Sequence, residues 1–182
     1  EMFYGLATEL DAILALNGRC FIYGGRQLGK TALMRRAEQT FHAPDKGRWS
    51  YYIDLRAEGI GVNRTASEVW QTIAAAMKTF GILTEPPTAA ELAKKTGIDV
   101  LLETISSFLG KNDERRILLL LDEADRFFEQ DGRHDFAETR RLKQLMDTTQ
   151  RRFKVVFAGL HNVLRMTERA NHPLAHFGQP IK

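Results

Sequence analysis

Cysteine is nearly missing from this chain: a single one, Cys20, occurs in 182 residues. That count excludes an internal disulfide and a metal cluster of the cysteine type, fits a reducing compartment, and leads us to expect a cytoplasmic protein. No apolar stretch approaches the ~18 residues that a membrane span requires, and no signal-peptide pattern precedes the first apolar run, so no membrane partner is expected. Charge is not concentrated either. The formal net charge is only +3, and the basic residues come in scattered pairs such as Arg35-Arg36, Arg115-Arg116, Arg140-Arg141 and Arg151-Arg152. Without a basic tract or interleaved aromatics, such pairs read as solvated surface, and nucleic acid is only weakly supported as a partner. Internal repeats and low-complexity segments are also absent.

What is present is a loop built to hold phosphates. Gly24-Gly25-Arg26-Gln27-Leu28-Gly29-Lys30-Thr31 follows the apolar run Cys20-Phe21-Ile22-Tyr23 and fits G-x-x-x-x-G-K-[ST] without a mismatch. Glycines let successive backbone N–H groups turn into one concavity, and a helix starting near Lys30 adds the positive end of its dipole. Helix formers from Thr31 to Gln39, with no Gly or Pro, support that helix, and Leu33 and Ala37 are expected to face a sheet. A nucleoside triphosphate is the natural guest. Gly24, Gly25, Arg26, Gln27, Leu28, Gly29, Lys30, Thr31 and Ala32 are the candidate binding residues. Lys30 supplies a point charge to the β and γ phosphates, and the Thr31 hydroxyl completes the coordination of a Mg²⁺ that keeps several waters.

Apolar runs alternate with helical patterns along the chain, which predicts a parallel sheet covered by helices on both faces. Strands are expected at 19–24, 49–55, 117–122 and 153–158, with a fifth opening at 179–182. A first helix is expected over 8–16. Another begins at the capping box Thr65-Ala66-Ser67-Glu68, continues through Val69, Ile73, Met77 and Phe80, and ends at Gly81. After Glu85-Pro86-Pro87, a further helix carries Ile98, Leu101, Leu102, Ile105, Phe108 and Leu109 on one stripe and stops at Gly110. Helices over 136–149 and 162–170 complete the pattern. The length suits one α/β domain. Because the chain starts at Glu1 and stops at Lys182 just as an apolar segment begins, we expect a single core domain, 1–182, belonging to a larger multidomain protein.

The second half of the site is expected at Ile117-Leu118-Leu119-Leu120-Leu121-Asp122-Glu123, the carboxyl end of a buried strand, where open α/β sheets place their ligands. Asp122 is the expected Mg²⁺ holder, together with Thr31. Glu123, one residue on, would orient or deprotonate the attacking water.

These motifs, with Phe153-Lys154-Val155-Val156-Phe157-Ala158-Gly159-Leu160-His161-Asn162, resemble the P-loop NTPases that carry an adjacent catalytic glutamate, and within them the AAA+ and STAND-type ATPases, including the origin-recognition-like branch. The resemblance implies a three-layer α/β/α fold with a mostly parallel sheet in the order 5-1-4-3-2. It implies a polar γ-phosphate sensor after the fourth strand, by position His161 or Asn162, although Asn162 also suits a helix N-cap. It implies an arginine finger offered to a neighbouring subunit, for which Arg165 and Arg169 are candidates, and hence self-association or contact with other domains. Phe3-Tyr4-Gly5, ahead of the first helix, occupies the place where related ATPases build part of the adenine pocket, or else caps the core. The helical lid of the family is not contained in this segment.

Asp122-Glu123-Ala124-Asp125 also spells the box of one helicase group. Those enzymes carry Ser-Ala-Thr where this chain has Ala158-Gly159-Leu160, and they need two motor domains. A GTPase is disfavoured because no Asn-Lys-x-Asp element is present. The expected function is therefore Mg²⁺-dependent ATP hydrolysis to ADP and phosphate, serving as a regulatory switch or motor. The alternatives are a non-hydrolysing, nucleotide-gated assembly switch, and a DNA-binding loader of the origin-recognition kind.

Overall fold

A computed structural model describes residues 2–23 and 29–159, with the backbone alone described for 2–6. Four strands, β1 (Phe21–Tyr23), β2 (Arg48–Asp54), β3 (Arg116–Asp122) and β4 (Phe153–Gly159), form one sheet in the order β1-β4-β3-β2, and every pairing is parallel. This is the expected order over the four described strands. The expected fifth strand and the helix over 162–170 lie outside the described residues.

Helices cover both faces. On one side lie α1 (Met2–Leu14) and α2 (Lys30–Phe41); the other carries α3 (Val69–Thr79), α4 (Ala89–Leu92), α5 (Lys95–Gly110), α6 (Asp125–Asp131) and α7 (Ala137–Thr148). Alternation along each strand sorts the core into two clusters. Phe21, Ile53, Leu119, Leu121, Val155 and Phe157 join the larger one beneath α3, α5, α6 and α7, while Ile22, Tyr52, Leu118, Leu120 and Val156 join Leu33, Met34 and Ala37 of α2. Burial on both faces is why these strands read as unbroken apolar runs. No helix among the described residues is long and apolar enough to cross a membrane.

The helical expectations hold in most places. Thr65 and Glu68 form their reciprocal capping box, although the first turn they cap is a 3₁₀ turn, Ala66–Glu68, that leads into α3. Gly81, with φ +71°, follows the end of α3 in the left-handed conformation that glycine adopts freely. Two corrections apply. The first helix begins at Met2 rather than at residue 8, so Phe3-Tyr4-Gly5 lies inside α1 instead of ahead of it. A single glycine costs a helix about 1 kcal/mol and does not end it. Helix α6, directly after the acidic box, is an addition to the predicted pattern. It is anchored by Phe127 and Phe128, which pack on Phe21 and Phe157 of β1 and β4.

Strand β4 carries a lysine deep in the sheet. Lys154 on β4 is 4% exposed and donates from Nζ to the carbonyls of Ile13 (2.6 Å) and Ala15 (2.7 Å), satisfying the end of α1. Burial, only partly offset by Cys20 and reinforced by Arg151, pushes its ammonium down to about 8. Because the unfolded chain still binds this proton above pH 8 while the folded chain releases it, Lys154 opposes folding fully below pH 8, and the penalty fades as the pH rises towards 10.5. Relative to a Lys154→Met variant, the parent should therefore gain roughly 2–3 kcal/mol of stability between pH 8 and 10.5, read from urea melts across that range.

Strand β2 forms the edge of the described sheet, and three of its outward donors are engaged from within the fold. Its outward N–H groups at Arg48, Ser50 and Tyr52 donate to the Ala43 carbonyl (3.0 Å), His42 Nδ1 (3.1 Å) and Glu38 Oε1 (2.8 Å). Two of these three acceptors are side chains of α2 and its C-cap.

Candidate nucleotide site

The parallel topology brings the carboxyl ends of all four strands, and the amino end of α2, to one side of the molecule. Gly29 is the N-cap of α2 and sits at φ +77°, in the left-handed region. Nothing lies within 4 Å of where its Cβ would be, so backbone conformation rather than space calls for glycine here. Lys30 and Thr31 then open the helix, whose buried face is Leu33, Met34, Ala37 and Phe41. Gly24, Gly25, Arg26, Gln27 and Leu28 lie outside the described residues; Ala32 is exposed on the first turn of α2.

Thr31 and Asp122, 91 positions apart, meet directly: Thr31 Oγ1 donates to Asp122 Oδ2 at 2.6 Å. Asp122 ends β3 opposite Asp54 of β2 and is 2% exposed. Its other oxygen, Oδ1, accepts the backbone N–H of Glu123 at 2.9 Å. Tyr52 of β2 donates its hydroxyl to Asp122 Oδ2 at 2.8 Å. Three donors thus compensate the burial of one carboxylate. The phenol of Tyr52 is pushed well above its ordinary value, first by burial and then by this bond to Asp122, so it remains a donor.

Glu123 turns the chain out of the sheet with φ +53°, a conformation that a residue with a side chain adopts only where its neighbours enforce it. Here the neighbours are Asp122 Oδ1 on one side and, on the other, the N–H of Ala124 donating to the Ala158 carbonyl at 3.0 Å. Glu123, half-buried, thereby follows Asp122 directly at the carboxyl end of β3. His161, Asn162, Arg165 and Arg169 follow β4 outside the described residues.

The donor set suits a hard divalent cation. Thr31 and Asp122 offer oxygen alone, and among the described residues no group of three His, Cys, Asp or Glu side chains converges to make a cage. A cation bound by so few protein oxygens must take its other ligands from water and phosphate, which is the habit of Mg²⁺. Tyr52 is the participant that sequence reasoning missed. Alternation places it on the α2 face of β2, but its meeting with Asp122 depends on strand register.

Comparison with known proteins agrees with this geometry. A family profile described as an AAA domain matches residues 16–167, a span that contains the glycine-rich loop, Thr31, Asp122, Glu123 and β4. No curated protein and no solved structure gives a match to the chain. A parallel sheet in the order β1-β4-β3-β2, a glycine-capped helix behind Gly29 and a threonine bonded across to the β3 aspartate accompany a profile that spans most of the chain, and the chain belongs to the AAA-domain family of P-loop NTPases.

Proposed function

We propose that this domain binds ATP together with Mg²⁺ and hydrolyses it to ADP and phosphate, as the switch or motor module of a multidomain protein of the AAA+ or STAND type. The observation that carries the reading is the 2.6 Å contact between Thr31 and Asp122, because it joins the phosphate-binding helix to a buried carboxylate at the end of β3. Lys30, at the first position of α2, neutralises the outer phosphates, and the α2 dipole adds to its charge. Thr31 and Asp122 would hold Mg²⁺, which when bound screens charge on the phosphate oxygens. Glu123 orients a water on the outer phosphate and takes up its proton. A γ-phosphate sensor at His161 or Asn162, and an arginine from a second copy at Arg165 or Arg169, complete the proposed site; self-association follows from the latter.

Adenine is preferred to guanine in this reading because the chain has no Asn-Lys-x-Asp element. Calorimetry on the parent protein should show ATP binding that weakens about tenfold or more when Mg²⁺ is chelated, and GTP binding weaker than that of ATP. Equal binding with and without Mg²⁺ would count against the roles given to Thr31 and Asp122.

A further inference from the structure

Tyr52 is held at three points. Its hydroxyl donates to Asp122 Oδ2, its ring lies 3.6 Å beneath the Arg35 guanidinium, and its backbone N–H donates to Glu38 Oε1. Arg35 and Glu38 are themselves paired at 3.1 Å, and both belong to α2, the helix that Lys30 and Thr31 open. A buried tyrosine needs some acceptor for its hydroxyl, and any carbonyl would serve. Here the acceptor is the carboxylate oxygen that Thr31 also engages.

The two donors to Oδ2 differ in what nucleotide binding asks of them. Thr31 lies on the phosphate-binding helix, and its hydroxyl must turn its lone pairs to a cation when one arrives. Tyr52 lies on β2, outside the glycine-rich loop and α2, and its hydroxyl is not among the groups assigned to the cation, so nothing in that role requires its bond to be re-aimed. Resting on the nucleotide reading above, we propose that Tyr52 is a positioning residue for Mg²⁺: it fixes the Asp122 carboxylate in the orientation that receives the cation, so that the carboxylate does not swing when the Thr31 hydroxyl is re-aimed. The clamp by Arg35 and Glu38 ties that orientation to α2.

The test is Tyr52→Phe, which keeps the ring under Arg35 and the backbone bond to Glu38 and removes only the hydroxyl. Binding of a fluorescent ATP analogue is measured against Mg²⁺ concentration and again in EDTA, with thermal melting of the nucleotide-free protein alongside. We expect the Mg²⁺ concentration for half-maximal effect to rise about tenfold, while affinity in EDTA stays within about twofold of the parent. A Tyr52→Phe variant with the parent's Mg²⁺ dependence overturns the proposal and leaves the nucleotide reading standing. Affinity in EDTA and melting temperature that fall together, with no separate change in Mg²⁺ dependence, overturn it too, because Tyr52 would then be packing alone. A parent protein that binds no nucleotide at all overturns both.

Discussion

Glu123→Gln should leave ATP bound with nearly parental affinity while hydrolysis drops by about 10²–10⁴-fold, the range lost when a positioned general base is removed. The substitution is chosen for the backbone as much as for the side chain. Residue 123 sits at φ +53°, and its N–H is committed to Asp122 Oδ1. Glutamine has the same length and the same tolerance for that conformation, so the Asp122 carboxylate keeps its donor. Glycine would relax the turn and alanine would shorten the side chain, and in both cases a lost rate would mix geometry with chemistry. Phosphate release under saturating ATP measures the rate, and calorimetry measures binding. Parental turnover in the glutamine variant would show that water is activated by another group.

Lys30→Ala should weaken ATP binding by about 100-fold or more, since charge-assisted contacts to the outer phosphates are among the strongest single interactions a site can offer. The fold should survive the change. Lys30 occupies the first turn of α2, alanine is the better helix former, and the buried face of the helix, from Leu33 to Phe41, is untouched. A circular-dichroism melt near that of the parent, together with lost heat of ATP binding, is the expected pair of results. Unchanged ATP affinity would remove the central claim, because the glycine-rich loop would then have no cation aimed at phosphate.

The strands and the long helices were legible in the sequence for a physical reason. A strand buried on both faces cannot alternate, so Leu118 to Leu121 and Val155 to Ala158 stand out as runs, and α3 and α5 reveal themselves through Val69, Ile73 and Met77 or Ile98, Leu101 and Ile105 at helical spacing. Helix α6 was not legible. Seven residues give less than two full repeats of a stripe, and its stability comes from tertiary burial of Phe127 and Phe128 rather than from local pattern. At the site, Thr31, Asp122 and Glu123 could be named from motif spacing, but not the left-handed turn at Glu123, which a hydrogen bond to its own neighbour helps to impose. Tyr52 was hidden for a different reason. Its partner lies 70 positions away, and a slip of one residue between β2 and β3 would have turned it to the opposite face. Lys154 shows the same limit: a charge within an apolar strand is visible, but the carbonyls that receive it, at Ile13 and Ala15, come from the far end of the chain.

The occupied donors of β2 bear on what the sheet edge can accept. An open parallel sheet ordinarily ends in a row of N–H groups that can template another chain, whether as a legitimate partner or as the start of an aggregate. Here the N–H groups of Arg48, Ser50 and Tyr52 are already engaged by Ala43, His42 and Glu38, which removes three of the donors such a template would use. Continuing the sheet past β2 would first have to break these three bonds, so the fold itself competes with any strand that would add there.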